Sequence, residues 1–352
     1  MTALADLLKT RIARTGPITL ADYMGECLMH PTHGYYSTRD PLGAKGDFIT
    51  APEISQMFGE LIGLALAQSW MDQGSPAPIT LAELGPGRGT LMADALRATR
   101  NVPGFHDAIS VHFVESSAPL RALQAQAVPD AHWHDTIDTL PDAPLFLIAN
   151  EFFDALPIRQ FVRDGDSWRE RMVGLTDDAL SLGLSAPAPL AMLADRLDDT
   201  QDGDLIEHCP ALPGIMQTIG QRIDAVGGAA LIIDYGDWQS LGDTLQALSA
   251  HKQANPLDAP GTADLTAHVD FAAIAQHAGP ARYTRLTTQG VFLERLGITQ
   301  RAQSLAQTLS DDTLQNHIAA HRRLTHPAEM GQLFKVVGIY PQQAAPPPGL
   351  EA

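Results

Sequence analysis

The stretch with the densest chemical content is Glu83-Leu84-Gly85-Pro86-Gly87-Arg88-Gly89-Thr90, an acid followed by glycines at alternate positions. Glycines spaced this way after a strand let the backbone approach a ligand closely, and the next helix offers its N-terminus. Such a turn by itself suits NAD, FAD and S-adenosylmethionine (SAM). Three details separate them. The motif begins with an acid, its spacing is G-x-G-x-G rather than G-x-G-x-x-G, and Val111-His112-Phe113-Val114 ends in a second acid, Glu115. Glu115 suits the two ribose hydroxyls of an adenosine-bearing ligand. Glu83 favours a positively charged cofactor by Coulomb attraction. SAM carries no pyrophosphate, so the turn need only pass its methionine part and ribose. These details favour SAM over NAD and assign Glu83, Gly85, Gly87, Gly89, Thr90 and Glu115 to cofactor binding. Ser116, beside Glu115, and Asp135, which ends the next short strand, join that set. The competing assignments are that Glu83 caps the turn and that Glu115 is a solvated strand end.

A second constellation, Asn150-Glu151-Phe152-Phe153-Asp154, follows the apolar run Leu145–Ala149. In an open parallel sheet ligands bind at the carboxyl ends of the strands, which puts Asn150, Glu151 and Asp154 beside the reactive end of the cofactor. Phe152 and Phe153 would wall off water, and Asp234-Tyr235 is delivered to the same edge. The competing assignment makes the carboxylates caps of the following helix. A third run, Gly46–Ser55, presents Asp47, Phe48, Thr50 and Glu53 on a loop that reads either as a lid over the cofactor or as an N-capped helix start. His268 and Asp270, in Leu265–Phe271, are candidate proton acceptors, although a histidine there is more often a hydrogen-bonded structural residue. His30 and His33, flanking Pro31, have no matching carboxylate or cysteine cluster, so no metal site is expected.

The elements that must carry these residues read as follows. Helical periodicity over Ala3–Arg14 stops at Gly16-Pro17, and Thr19 caps a second helix to about Met29. A glycine- and proline-rich loop follows, then a helix over roughly Ser55–Gln73 with an apolar stripe of Met57, Leu61, Leu64, Ala65 and Leu66. From Ile79 onward strands alternate with helices: Ile79–Leu84, Ala108–Val114, His132–Asp135, Leu145–Ala149 and Ala229–Tyr235, with a late strand at Leu333–Ile339. That alternation predicts an α/β fold with a doubly wound, Rossmann-like parallel sheet. The expected organisation is a helical N-terminal cap with its lid loop over residues 1–75, then a sheet domain over 76–340. Insertions are expected at about 160–213 and 237–290, the first a hairpin within Phe161–Leu182, and a disordered tail over 341–352.

Composition narrows the function. In 352 residues, 41 acids stand against 23 basic residues, a formal charge of −18. Such a chain repels a phosphate backbone and suits a cationic protein partner better than a nucleic acid. The two cysteines, Cys27 and Cys209, cannot build a disulfide framework or a cysteine zinc site, in keeping with a reducing, cytoplasmic compartment. No apolar run approaches the roughly 20 residues of a membrane span. Met1–Arg14 lacks the apolar core of a secretory signal; an amphipathic helix and a short mitochondrial presequence both explain its residues.

Taken in order, Tyr23-Met24 through His30-Pro31 to Gly34-Tyr35-Tyr36, then Gly46–Gln56, Glu83–Leu91, Val114–Ser116, Asn150–Phe161, Ile206–Pro210, Ile232–Gly236, Asp243–Ala247, Pro260–Phe271, Thr288–Phe292 and Met330–Lys335 resemble the MidA family. These are the bacterial and mitochondrial relatives of the complex I assembly-factor methyltransferase. The resemblance implies a class I SAM-dependent methyltransferase fold with a helical N-terminal cap. By analogy with the mitochondrial relatives, it implies methylation of an arginine in a core NADH–quinone oxidoreductase subunit to symmetric dimethylarginine. It also implies a bacterial, cytoplasmic enzyme. The acids agree independently. A guanidinium has a pKa above about 12, so it arrives charged, must be held by carboxylates and must lose a proton as it attacks. Glu151 and Asp154, beside Asn150, are the expected clamps, and His268 or Asp270 the expected proton acceptor. Three alternatives remain: a small-molecule methyltransferase, a SAM-binding assembly chaperone in which the cofactor is structural, and, weakest, a nicotinamide oxidoreductase. Sequence alone assigns no oligomeric state.

Overall fold

The computed structural model describes residues 2–38, 50–249 and 252–352. The chain separates into two compact units. One comprises Met1–Pro41, Asp154–Leu212 and Gln239–Asp270; the other comprises Leu42–Phe153, Pro213–Trp238 and Phe271–Ala352.

The second, larger unit holds the sheet. Its strands are β1 (Ile79–Leu84), β2 (Ile109–Val114), β3 (His132–His134), β4 (Leu145–Asn150), β5 (Gly228–Asp237) and β6 (Phe334–Tyr340), ordered β6-β5-β4-β1-β2-β3. The first five run parallel, and β6 is antiparallel to β5. Every residue of β1 and of β4 is buried, and apart from Thr80, Glu83 and Asn150 all are apolar, the pattern of strands covered on both faces. The order reverses between β1 and β4, the topological switch point at which open α/β sheets bind ligands. Register then decides which residues meet there: Leu84 stands opposite both Val114 and Ala149, and Asn150 opposite Ile233.

Four helices accompany these strands: α1 (Gln56–Asp72), α2 (Thr90–Thr99), α3 (Ala118–Ala127) and α4 (Leu212–Val226). Helix α1, capped by Ser55, buries Met57, Leu61, Ala65 and Leu66 as the periodicity requires, but Leu64 faces solvent. Its close approach to α2 depends on Gly63, where a Cβ would stand 2.6 Å from Ala95 Cα. Glu60 of α1, almost fully buried, accepts bonds from the guanidinium groups of Arg97 and Arg301, so helix Ile298–Ala306 is tied to the same corner. That helix and Asp311–Thr325 fill a stretch that the sequence patterning left unread.

The smaller unit packs the helices Ala3–Thr15 and Leu20–Met29 on an antiparallel sheet. The sheet is ordered Ile18–Thr19, Ser167–Thr176, Arg159–Asp164, Leu205–His208, with Ala179–Leu184 also pairing Ser167–Thr176. The expected hairpin is thus part of a larger sheet. Leu4, Leu8, Leu20, Tyr23 and Met24 share one apolar core with Ile158, Val173 and Leu265. The N-terminal helices, the first insertion and the second as far as Asp270 therefore form one body, and the expected 1–75 cap divides, because α1 buries its apolar residues in the core of the larger unit. The segment after Asp270 also belongs to the larger unit, where Arg282–Tyr283 and Thr287–Thr288 pair with β6. The expected disorder of 341–352 is corrected too. Leu350 is buried, Glu351 pairs with Arg295 at 2.6 Å, and the N–H of Arg285 donates to the Glu351 carbonyl at 2.8 Å.

Candidate functional site

The turn after β1 is built on left-handed backbone. Gly85, Gly87 and Gly89 have φ of 58°, 54° and 83°, angles that side chains resist, so the sequence needs glycine at each. The Gly85 N–H donates to the Val114 carbonyl at 3.0 Å, and the Gly89 N–H to that of Pro86 at 2.8 Å. Gly89 is the N-cap of α2 and offers no capping side chain; the first helical residue, Thr90, donates its hydroxyl to Glu53. Immediately before the turn lies Glu83, 3% exposed, whose Oε2 has no hydrogen-bond partner among the described residues. Burial pushes its carboxyl up to about 8. A buried carboxyl with an orphaned oxygen is costly on its own and suits a ligand that brings positive charge.

Glu115, at the end of β2, is half-buried and held on both oxygens. Oε1 accepts the Ser117 N–H at 2.7 Å and Oε2 accepts Gln124 Nε2 at 3.2 Å. Burial raises its carboxyl above the usual range and these hydrogen bonds oppose the rise. Arg121 donates to the Glu115 carbonyl and pairs with the exposed Asp135, and Ser116 is exposed beside them. These residues stand together at the carboxyl ends of β2 and β3.

At the end of β4 the backbone is strained: Glu151 has φ of 50°, unusual for a residue with a side chain. Its N–H donates to the Ile233 carbonyl at 2.9 Å. Its Oε1 accepts Asn150 Nδ2 at 3.2 Å and the N–H of Ala51 at 3.1 Å. Glu151 therefore caps the short helix Ala51–Ile54, which comes from a distant part of the sequence; between Glu151 and the strand Arg159–Asp164 there is no following helix to cap. The N-cap residue Thr50 and Glu53 lie at that same short helix. Asn150 is nearly buried, and its Oδ1 has no hydrogen-bond partner among the described residues. The two N–H bonds that Asp234 accepts, from Phe153 at 3.0 Å and Tyr235 at 2.9 Å, lock the turn. Phe152 lies over the glycines, its ring 3.0 Å from where a Cβ of Gly85 would stand.

The larger unit thus gathers Glu53, Glu83, Gly85, Gly87, Gly89, Thr90, Glu115, Ser116, Asp135, Asn150 and Glu151, while Asp47 and Phe48 lie outside the described residues. Asp154, His268 and Asp270 belong to the smaller unit. There the Asp154 carbonyl accepts the Ala267 N–H at 3.0 Å, and the His268 N–H donates to Thr244 Oγ1 at 2.8 Å. Asp270 accepts the Ser240 N–H at 3.3 Å and lies 3.8 Å from the Arg196 guanidinium. Two residues were missed by sequence reasoning. Tyr36 donates its hydroxyl to Asp264 at 3.0 Å, and burial with the nearby Asp264 and Asp154 holds that hydroxyl well above its ordinary range. Gln124 is fully buried and bonds both to Glu115 and to the glycine turn. A polar residue on the apolar face of α3 was the one available signal. Among the described residues no group of three or more His, Cys, Asp or Glu could hold a metal ion, and no helix is long and apolar enough to cross a membrane.

Residues 61–289 match a family model described as S-adenosyl-L-methionine-dependent methyltransferase. The mitochondrial protein arginine methyltransferase NDUFAF7 of Xenopus laevis is 39% identical over 96% of this chain and 84% of its own length. Its human counterpart is 37% identical over 96% and 83%. A crystal structure from Burkholderia thailandensis, bound to S-adenosyl-homocysteine (SAH), superposes with a TM-score of 0.80 at 29% identity, covering 99% of this chain and 93% of that one.

Proposed function

The chain belongs to this family of S-adenosyl-L-methionine-dependent methyltransferases, and from that premise we propose that it methylates an arginine side chain of a protein substrate. The observation that carries the reading is the pairing of an orphaned buried carboxyl, Glu83, with a glycine turn at the switch point, in a chain so similar to arginine methyltransferases along nearly its whole length.

SAM, when bound, supplies a methyl group on a sulfonium; the guanidinium nitrogen takes it, and SAH, a methylated arginine and a proton leave. This chain's residues do the rest. Glu115, its oxygens already oriented by Ser117 and Gln124, keeps lone pairs for the two ribose hydroxyls. Glu83 opposes the positive charge of the cofactor, and Gly85, Gly87 and Gly89 leave room for it. Thr90, Glu53 and Thr50 brace the entry to α2, and Phe152 excludes water above the turn. Ser116 and Asp135 border the adenosine end. Asn150, whose Oδ1 is uncommitted within the described residues, and Glu151 receive the guanidinium. Because the guanidinium is charged when it arrives, this set of acids both selects it and eases its deprotonation. Methyl transfer is then chiefly a matter of holding the nitrogen, methyl and sulfur in line.

By the resemblance set out above, the client is a core subunit of NADH–quinone oxidoreductase and the product symmetric dimethylarginine. The test mixes the purified protein and methyl-labelled SAM with extract from cells lacking it, followed by acid hydrolysis and amino-acid analysis. Label in dimethylarginine from one protein band is expected, and that band identifies the client. Label confined to small molecules overturns the arginine reading in favour of a metabolite methyltransferase. SAM binding with no label anywhere overturns it in favour of a chaperone.

A further inference from the structure

Gln124 projects from α3 and is 0% exposed, a burial that a carboxamide tolerates only when its polar atoms are used. Its oxygen and both of its N–H groups are. Trp133 Nε1–H donates to Gln124 Oε1 at 2.8 Å. An indole nitrogen can only donate, so this contact fixes which end of the amide is oxygen. Nε2 is thereby turned the other way, where it donates to the Gly87 carbonyl at 2.8 Å and to Glu115 Oε2 at 3.2 Å. The glycine turn lies directly on this helix: a Cβ on Gly89 would stand 3.4 Å from Gln124 Cα and 3.3 Å from Ala127 Cβ. One side chain thus joins three parts of the sheet edge that have no sequence continuity, namely the turn after β1, the acid after β2 and β3.

We propose that Gln124 is a positioning residue for cofactor binding, its amide setting the Gly87 carbonyl and the Glu115 carboxylate at the geometry an adenosine-bearing ligand requires. The inference rests on the reading of Glu115 as the ribose acceptor. With one lone pair of Oε1 taken by the Ser117 N–H and one of Oε2 by Gln124, the carboxylate cannot rotate, and the remaining lone pairs point in fixed directions. A carboxylate orientated before the ligand arrives pays no ordering cost at binding. Trp133 in turn keeps the amide from flipping. Removing the amide leaves the Gly87 carbonyl and Glu115 Oε2 each short of a buried donor, and leaves the carboxylate free to turn.

The experiment measures SAH affinity by titration calorimetry for the full chain and for Gln124→Met, Gln124→Glu and Glu115→Ala, alone and combined. Gln124→Met keeps the volume and removes both donors, and it should weaken SAH at least about tenfold. Combined with Glu115→Ala it should cost clearly less than the product of the two single effects, because the amide acts through that carboxylate. Gln124→Glu should be weaker still at pH 8, where two carboxylates face each other. It should recover relative to wild type at pH 6, where the introduced carboxyl takes up a proton and donates again; the deficit of Gln124→Met relative to wild type should not change with pH. A merely structural role would lower the melting temperature but give independent effects and no pH-dependent recovery, and that result overturns the proposal. If Gln124→Met does not fold, Trp133→Phe decides: it leaves the turn untouched and frees the amide to flip, and an affinity equal to wild type overturns the proposal. A Glu115→Ala variant that binds SAH normally would instead refute the ribose reading beneath it.

Discussion

Glu83 makes the cofactor reading quantitative. Its carboxyl is 3% exposed, has an orphaned Oε2, and is pushed by burial from 4.5 up to about 8. In the free protein at neutral pH the group is therefore mostly protonated. A ligand bearing an ammonium or sulfonium is stabilised by the ionised form, so binding must release the proton. Below about pH 8 each unit of pH then changes the ionised fraction tenfold. SAH should bind about tenfold, or about 1.4 kcal/mol, more tightly at pH 7 than at pH 6. Calorimetry in two buffers of different ionisation enthalpy should count about one proton released per SAH bound in this range. Glu83→Gln should bind weakly and release none. The sign for folding is opposite. A folded-state value raised above the unfolded one means that the native state holds more protons between pH 4.5 and about 8, so stability without ligand falls as pH rises through that window. The full shift corresponds to about 5 kcal/mol, and Glu83→Gln should be the more stable protein at pH 8 in a thermal melt. An SAH affinity independent of pH between 6 and 7, with no proton release, would show that the carboxyl does not meet the cofactor's charge.

Glu115→Ala should weaken SAM by about 1–3 kcal/mol, since two ribose hydroxyls lose a charged acceptor; unchanged affinity in calorimetry refutes the ribose role. Glu151→Gln should leave SAM affinity nearly intact while slowing turnover at least about tenfold in the labelled-methyl assay, about 1.4 kcal/mol of barrier. Normal turnover would reduce Glu151 to the cap of Ala51–Ile54 that its hydrogen bond describes. Gly63→Ala should destabilise the larger unit by about 1–3 kcal/mol, because the new methyl meets Ala95 Cα at 2.6 Å and backbone cannot yield cheaply. A denaturant midpoint equal to wild type would show that α1 and α2 pack more loosely than described.

Short-range pattern accounts for what the sequence determined alone. Alternating apolar strands and helices, glycines at 85, 87 and 89, and acids directly after two strands are local statements about φ, period and burial, and the sheet, its switch point and the cofactor edge follow from them. The roles of caps and side-chain partners did not follow, because these contacts join residues remote in sequence. Glu151 read first as a clamp and second as a cap of its own next helix, yet it accepts the N–H of Ala51, 100 positions away. Tyr36 and Asp264 meet across 228 positions. Gln124 is an unremarkable helix residue until folding brings Gly87, Glu115 and Trp133 around its amide. The same holds for the segments taken to be a cap, two insertions and a disordered tail. A proline-rich tail composition predicts a chain without a core of its own, and only the groove beside Phe292, where Gly349 and Leu350 lie, decides that this tail packs on the larger unit. Local propensity selects elements, whereas the buried donors, acceptors and cavities that those elements leave facing one another select partners.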